Sequence, residues 1–170
     1  MNTVILSCES LKVYVAAAQK TAGTTYPVIW LKQKYHEEPA VMRSHILETI
    51  ASLPKEVDTV LVAMGFCGGS WDAVTADRRI VLPRVDDCIY LFDMWFTNYS
   101  YLDIVDTGMA DCYSEAFVEM AQRSADLIKC DLDYTVGSNH LLEKLVSGQW
   151  DEQFLMAEPG HKIAHKDFFE

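Results

Sequence analysis

The sequence predicts an α/β protein, a doubly wound and mostly parallel sheet with helices on both faces. Short apolar runs alternate with longer amphipathic segments along the chain, the pattern of a sheet built from strand–helix units. Glycine or proline stands at most of the junctions between them. Cysteines come after three of the apolar runs, where a parallel sheet presents groups at its ligand-binding carboxyl edge. Right-handed crossovers follow from such an alternation, but the order of the strands is not legible.

Taken in order, residues 3–7 (Thr-Val-Ile-Leu-Ser) form the first strand, with Cys8 next. A helix over 9–21 has Leu11, Val13, Tyr14, Ala17 and Ala18 on its apolar side, and Gly23 closes it with a left-handed cap. Residues 26–31 read as the second strand, with Pro27 near its start, where no ladder donor is required. A loop over 32–38 contains His36. Pro39 opens the next helix, whose buried side is expected to be Val41, Ile46, Leu47 and Ile50, and Pro54 stops it. The run from Thr59 then empties into Gly65-Phe66-Cys67-Gly68-Gly69, too short for a helix and too glycine-rich to continue as strand.

Residues 71–79 are expected to form a short helix, and 80–82 the fourth strand, ended by Pro83. Asp86 or Asp87 is placed to cap a helix through Ile89, Leu91, Phe92 and Trp95. A strand over 99–105, a helix over 111–128, a strand over 131–136 and a helix over 140–146 follow, the last terminated by Gly148. Residues 154–157 are a final short strand, and Glu158-Pro159-Gly160 turns into a charged tail.

The 170 residues are read as one domain over 1–170, half hydrophobic and globular in composition. A net charge of −11 without a Lys/Arg cluster argues against nucleic acid and against anionic membrane surfaces. No apolar run approaches the roughly 18 residues of a spanning helix, and no basic segment precedes the first strand, so a cytoplasmic location is expected. Five cysteines in a reducing compartment are not a disulfide framework.

Cys8, Cys67 and Cys88 all follow inferred strands, so strands lying in one sheet would let the three sulfurs converge. With His36 they would make a Cys₃His set suited to Zn²⁺, although soft thiolates also suit Cu(I) or an iron–sulfur unit. The chain lacks the Cys-x₂-Cys knuckle of zinc ribbons, and free cysteines elsewhere are simply small buried residues. A second chemistry needs no metal. Cys67, flanked by Gly65, Gly68 and Gly69, would be a nucleophile beside backbone N–H groups that also form an oxyanion hole. His36 or Asp87 would then act as base. Arg84 is the basic group next to these residues, either a contact for a substrate carboxylate or phosphate or a structural partner of Asp86 or Asp87. Trp71, Tyr101 and Trp150 are pocket or core aromatics.

These residues carry a family resemblance. The chain resembles a shortened member of the family of unknown function DUF1638. Ile5-Leu6-Ser7-Cys8, His36 and Pro39, Gly65-Phe66-Cys67-Gly68 and Pro83-Arg84-Val85-Asp86-Asp87-Cys88-Ile89 match its pattern, as do Asp106-Thr107-Gly108 and the ending from Leu141 to Gly160. Members often carry histidine where this chain has Asp86, and are longer between the Cys88 helix and Asp106. The resemblance implies anaerobic hosts and the company of corrinoid-dependent methyl-transfer systems. It thus implies a small-molecule thiol or methylated substrate, and a corrinoid or methyltransferase partner. A non-catalytic carrier of a metal or corrinoid is the further alternative, and a homo-oligomer is left open.

Overall fold

The computed structural model describes residues 2–86, 88, 91 and 141–169. Among these residues five strands form one sheet: β1 (Thr3–Cys8), β2 (Val28–Leu31), β3 (Thr59–Ala63), β4 (Arg79–Pro83) and β5 (Phe154–Ala157). Their order is β2-β1-β3-β4-β5. The first four run parallel, with Ile5 opposite both Val28 and Leu61, and Thr59 opposite Arg79. Only β5 is antiparallel, pairing Pro83 with Phe154 and Ile80 with Ala157. The fold is therefore the expected mixed α/β sheet.

Side chains of a strand alternate between its faces, so a strand buried at every position is covered on both. That is the case for β1 and for β3. Helix α1 (Lys12–Ala22) follows a single 3₁₀ turn at Glu9–Leu11, and α3 (Leu141–Ser147) packs against α1 and against β3 and β4. Gly23 ends α1 at φ 68°. The Thr24 and Gly23 amides donate to the carbonyls of Gln19 and Lys20, at 2.9 and 3.3 Å, which satisfies two orphan carbonyls of the last turn.

Helix α2 (Pro39–Ser52) starts on its proline as expected, and Leu53 and Pro54 lie just beyond it. Its buried stripe differs. Met42, Ile46 and Ile50 are buried, while Val41 and Leu47 are 37% and 40% exposed. A stripe of one residue per turn is narrower than the expected face and leaves both flanks in solvent.

Two further expectations are corrected. No helix forms over 71–79. Ala73 adopts φ 63°, and the backbone there bonds to the carboxyl-terminal segment instead: Ala73 N–H to the Ile163 carbonyl (2.8 Å), Ile163 N–H to Val74 (2.9 Å) and Gly160 N–H to Ala76 (2.8 Å). For the same reason the tail is not merely a charged extension. Ile163 is fully buried and Phe168, in α4 (Lys166–Phe169), is 7% exposed and packs on Phe66 at 4.4 Å between ring centroids. Two apolar residues suffice to anchor this strap, which carries too little apolar periodicity to betray itself.

The expected elements over 99–105, 111–128 and 131–136, and all but Leu91 of the four residues read on the Cys88 helix, lie outside the described residues. No helix among the described residues is long and apolar enough to cross a membrane.

Ile163→Ala tests the strap. Removing a fully buried isoleucine side chain is expected to cost about 2–4 kcal/mol in urea denaturation. A cost below about 1 kcal/mol would mean that the strap does not hold the 71–76 turns.

Candidate metal centre

In a sheet of order β2-β1-β3, the chain leaves β1 toward one neighbour and later returns to the other side. The crevice outside the carboxyl ends at this reversal is where open α/β sheets bind ligands. Cys8 is the last residue of β1, His36 lies in the turn after β2, Cys67 follows β3 and Cys88 follows β4. The parallel polarity delivers all four to the same edge.

The structure brings the four together. His36 Nε2 lies 3.0 Å from Cys8 Sγ and 4.0 Å from Cys88 Sγ, and the Cys67 and Cys88 sulfurs are 3.4 Å apart. The donor atoms of His36, Cys67 and Cys88 all lie within 4.8 Å of one another, a group that could hold a metal ion. The three cysteines are buried and His36 is half-buried.

Each donor is held by its surroundings. The Ser7 hydroxyl at the end of β1 donates to the Ala63 carbonyl at the end of β3 (3.0 Å), and the Ser10 hydroxyl donates to Cys8 Sγ (3.0 Å). His36 sits in a 3₁₀ turn, Gln33–Glu37, where the sequence suggested an unstructured loop. The Gln33 amide donates to Glu9 Oε1 (2.9 Å), and the Tyr35 ring stacks on His45 of α2 at 3.8 Å and 12°. These two contacts fix the turn ahead of the histidine.

The Cys67 turn is clamped more elaborately. Phe66 and Cys67 N–H donate to the Val85 and Asp86 carbonyls (2.9 and 2.7 Å), and the Ser70 hydroxyl caps the Cys67 carbonyl (2.7 Å). Cys67 itself adopts φ 50°, a left-handed conformation costing an L-residue roughly 1–2 kcal/mol. Gly68 follows at φ 64°, so close to α2 that a Cβ there would lie 3.2 Å from Pro39 Cγ. One helical turn after Pro39, Arg43 Nη2 donates to the Gly69 carbonyl (2.7 Å). Gly68 and Gly69 thus shape the turn, and the Gly65 backbone beside Cys88 favours the ionised form of that thiol.

Crowding dominates the electrostatics. The neighbouring Cys88 thiol, and then burial, push Cys8 far above the ordinary thiol range, against the opposing pull of His36 and Ser10. Contact with Cys67, and then burial, push Cys88 up likewise, while Cys8 and the Gly65 backbone bond pull down. Thiolates this close repel one another unless a cation lies among them, and a bound cation inverts that preference.

The spacing suits such a cation. Tetrahedral Zn²⁺ with Zn–S near 2.3 Å and Zn–N near 2.0 Å sets its donors about 3.8 Å apart for sulfur pairs and about 3.5 Å for sulfur–nitrogen pairs. The contacts of 3.0, 3.4 and 4.0 Å straddle those values, and the donor types are those zinc accepts.

Arg84 is exposed, with its amide bonded to the Gln153 carbonyl (2.7 Å) and no ion pair to Asp86. Asp87, Tyr101, His140, Cys112 and Cys130 lie outside the described residues. Trp71 is fully buried core, and Trp150 Nε1 donates to the Leu145 carbonyl (2.9 Å). His161 contacts Asp167 (3.0 Å), and His165 stands edge-on to Phe66. Ser10, Glu9, His45 and Arg43 were not singled out by the sequence reading. Ser10 stands only two residues from Cys8, and Arg43 follows Pro39 by four, on the same helix face.

Fold and site together define the class: an α/β protein with a thiol–imidazole cluster, competent for metal, at the carboxyl edge of its parallel strands. The family model described as a protein of unknown function, DUF1638, matches residues 30–93. That stretch runs from within β2 to just past Leu91; it contains His36, Cys67 and Cys88, while Cys8 lies outside it. Neither a curated protein nor a solved structure matches the chain.

The raised thiols give a pH prediction for chelator-treated, reduced protein. Unfolded thiols ionise near their ordinary value of 9.0, while folded Cys8 and Cys88 stay protonated, so the folded state binds more protons above that pH. Stability is expected to be level with respect to these thiols below about pH 9 and to fall above it, by up to about 1.4 kcal/mol per pH unit per thiol. Urea midpoints at pH 7.5, 9 and 10.5 measure it, and a rise between pH 9 and 10.5 would contradict the crowding.

Proposed function

We propose that this protein binds one zinc ion through Cys8, Cys67, Cys88 and His36 and serves thiol or methyl-transfer chemistry. The observation that carries the reading is the run of close donor pairs, Cys8 to His36, His36 to Cys88 and Cys88 to Cys67, at 3.0–4.0 Å, in the crevice where the strand order reverses. Bound zinc would supply Lewis-acid character, keeping a coordinated sulfur ionised at neutral pH and so able to accept an alkyl group. The chain's own residues hold and tune the donors. Ser10 O–H and the Gly65 backbone donate toward Cys8 and Cys88 and spread their charge, and Glu9 and the Tyr35–His45 stack orient His36. His36 is the half-buried donor of the four, so a small thiol or methylated substrate would approach from its side.

The partner in this reading is a corrinoid protein or methyltransferase, as the family resemblance implies, and the setting is cytoplasmic. Arg84, exposed beyond β4, would meet an anionic group of such a partner or substrate.

The φ of 50° at Cys67 favours a second reading, a metal-free enzyme with Cys67 as nucleophile, since strained backbone at a reactive residue is a common property of active sites. A closed four-donor site without turnover would instead mark a carrier or accessory protein.

Elemental analysis of protein purified without added metal separates these readings. One equivalent of zinc is expected, lost in Cys8→Ser, Cys67→Ser and Cys88→Ser, with roughly tenfold weaker binding in Ser10→Ala. Absence of metal with one fast-alkylating thiol at Cys67 would replace this reading by the nucleophile.

A further inference from the structure

We propose that Cys67 and Cys88 are also a reversible disulfide pair, an oxidation site that closes when a hydroperoxide reaches the metal-free protein. The loss of metal on oxidation rests on the zinc reading above; the pair itself does not.

Three observations place the bond between these two sulfurs. They are 3.4 Å apart, so an S–S bond of about 2.05 Å needs a closure of only about 1.4 Å. Their chain segments are already tied side by side beyond the ends of β3 and β4 by the amide bonds from Phe66 to Val85 and from Cys67 to Asp86, so the backbones are held as neighbours. Both backbones are clamped, so the remaining closure is a rotation of the Cys67 and Cys88 side chains about their Cα–Cβ bonds, which leaves the sheet undisturbed.

Cys8 is the less suitable partner for Cys88. It ends a fully buried strand, and its sulfur is engaged by both His36 and Ser10 at 3.0 Å. Cys67, next to the exposed Gly68, is also the sulfur that an oxidant entering along this turn meets.

The chemistry balances with a hydroperoxide as oxidant. The Cys67 sulfur attacks the terminal peroxide oxygen, the O–O bond breaks, and the leaving oxygen departs as water or an alcohol after taking a proton. Cys88 sulfur then attacks the resulting sulfenic acid, forming the S–S bond and expelling water. Two thiols are oxidised, one peroxide is reduced, and both thiol protons end in the products. A sulfur in a disulfide has no thiolate to offer a metal, so each disulfide formed would release one zinc ion.

The test uses the full-length reduced protein in two states, chelator-treated and zinc-loaded. Each is exposed to a few equivalents of hydrogen peroxide, quenched with N-ethylmaleimide and mapped by peptide mass spectrometry. The metal-free protein is expected to lose two hydrogens and to yield a peptide linking Cys67 to Cys88, reversible by dithiothreitol. Cys8→Ser should still form the link, and Cys88→Ser should leave a Cys67 sulfenic acid that dimedone traps. In zinc-loaded protein the link should form at least tenfold more slowly, with one zinc released per link into a chromogenic chelator. A Cys8–Cys88 link, or over-oxidation of Cys67 without any link, overturns the pair and leaves the zinc reading standing. A clean link in protein that binds no zinc supports the pair and overturns the zinc reading.

Discussion

Everything at the candidate site depends on the burial of β1 within a parallel sheet. With every side chain of β1 buried and its backbone bonded to β2 on one side and β3 on the other, this strand has no freedom to shift along its length. A slip of one residue would turn Val4, Leu6 and Cys8 to the opposite face, so register is set by the core, not by the site. Cys8 is therefore fixed in space by the packing and strand pairing of β1. The parallel polarity does the rest, since β2, β3 and β4 must end beside it and their following residues must turn over the same edge.

The same packing creates an electrostatic tension. Three thiols and an imidazole occupy a buried volume in which no two thiolates can lie close without repulsion. As neutral groups they make weak hydrogen bonds; as ionised groups they require a counter-charge. Ser10 and the Gly65 backbone offset part of one negative charge, and His36 part of another. The left-handed Cys67 adds a local cost that the surrounding clamp of Val85, Asp86, Ser70 and Arg43 maintains. Strain held by so many contacts is characteristic of residues placed for chemistry, not for stability.

Much of this was legible from the residues alone, and the failures have physical causes. Strands read well because β1, β3 and β4 are apolar runs too short for helices, and their cysteines follow at the turns. The convergence of Cys8, Cys67 and Cys88 followed from polarity once a parallel sheet was inferred. Strand order did not, because nothing local distinguishes the neighbours of β1. The buried stripe of α2 was misjudged because Val41 and Leu47 are as apolar as Met42, and only packing decides which of them meets the core. The 71–79 segment looked helical by composition, but its backbone groups found partners in a strap almost ninety residues away in sequence, which no local pattern encodes. His36 seemed to stand on a plain loop because the Tyr35–His45 stack and the Glu9 bond that order it join separate elements.

These remote contacts decide what kind of site this is. Three of the four donors lie outside regular strands, on segments that by themselves would be mobile. Two of them are tied down by protein groups that are not donors: Glu9 and His45 for the histidine turn, and Arg43, Pro39 and the carboxyl-terminal strap through Phe66 for the glycine turn of Cys67. Small metal-dependent domains lack such supports, and in them metal binding and folding are one event. Here the supports belong to the hydrophobic core and its hydrogen bonds, so the donors are brought within contact distance before any ligand arrives. A pre-organised cluster of this kind gives up little conformational entropy on binding, and retains its geometry when the ligand leaves. That separates the stability of the fold from the occupancy of the site, which is the property a centre needs if it is to exchange a ligand or pass through an oxidised state without unfolding.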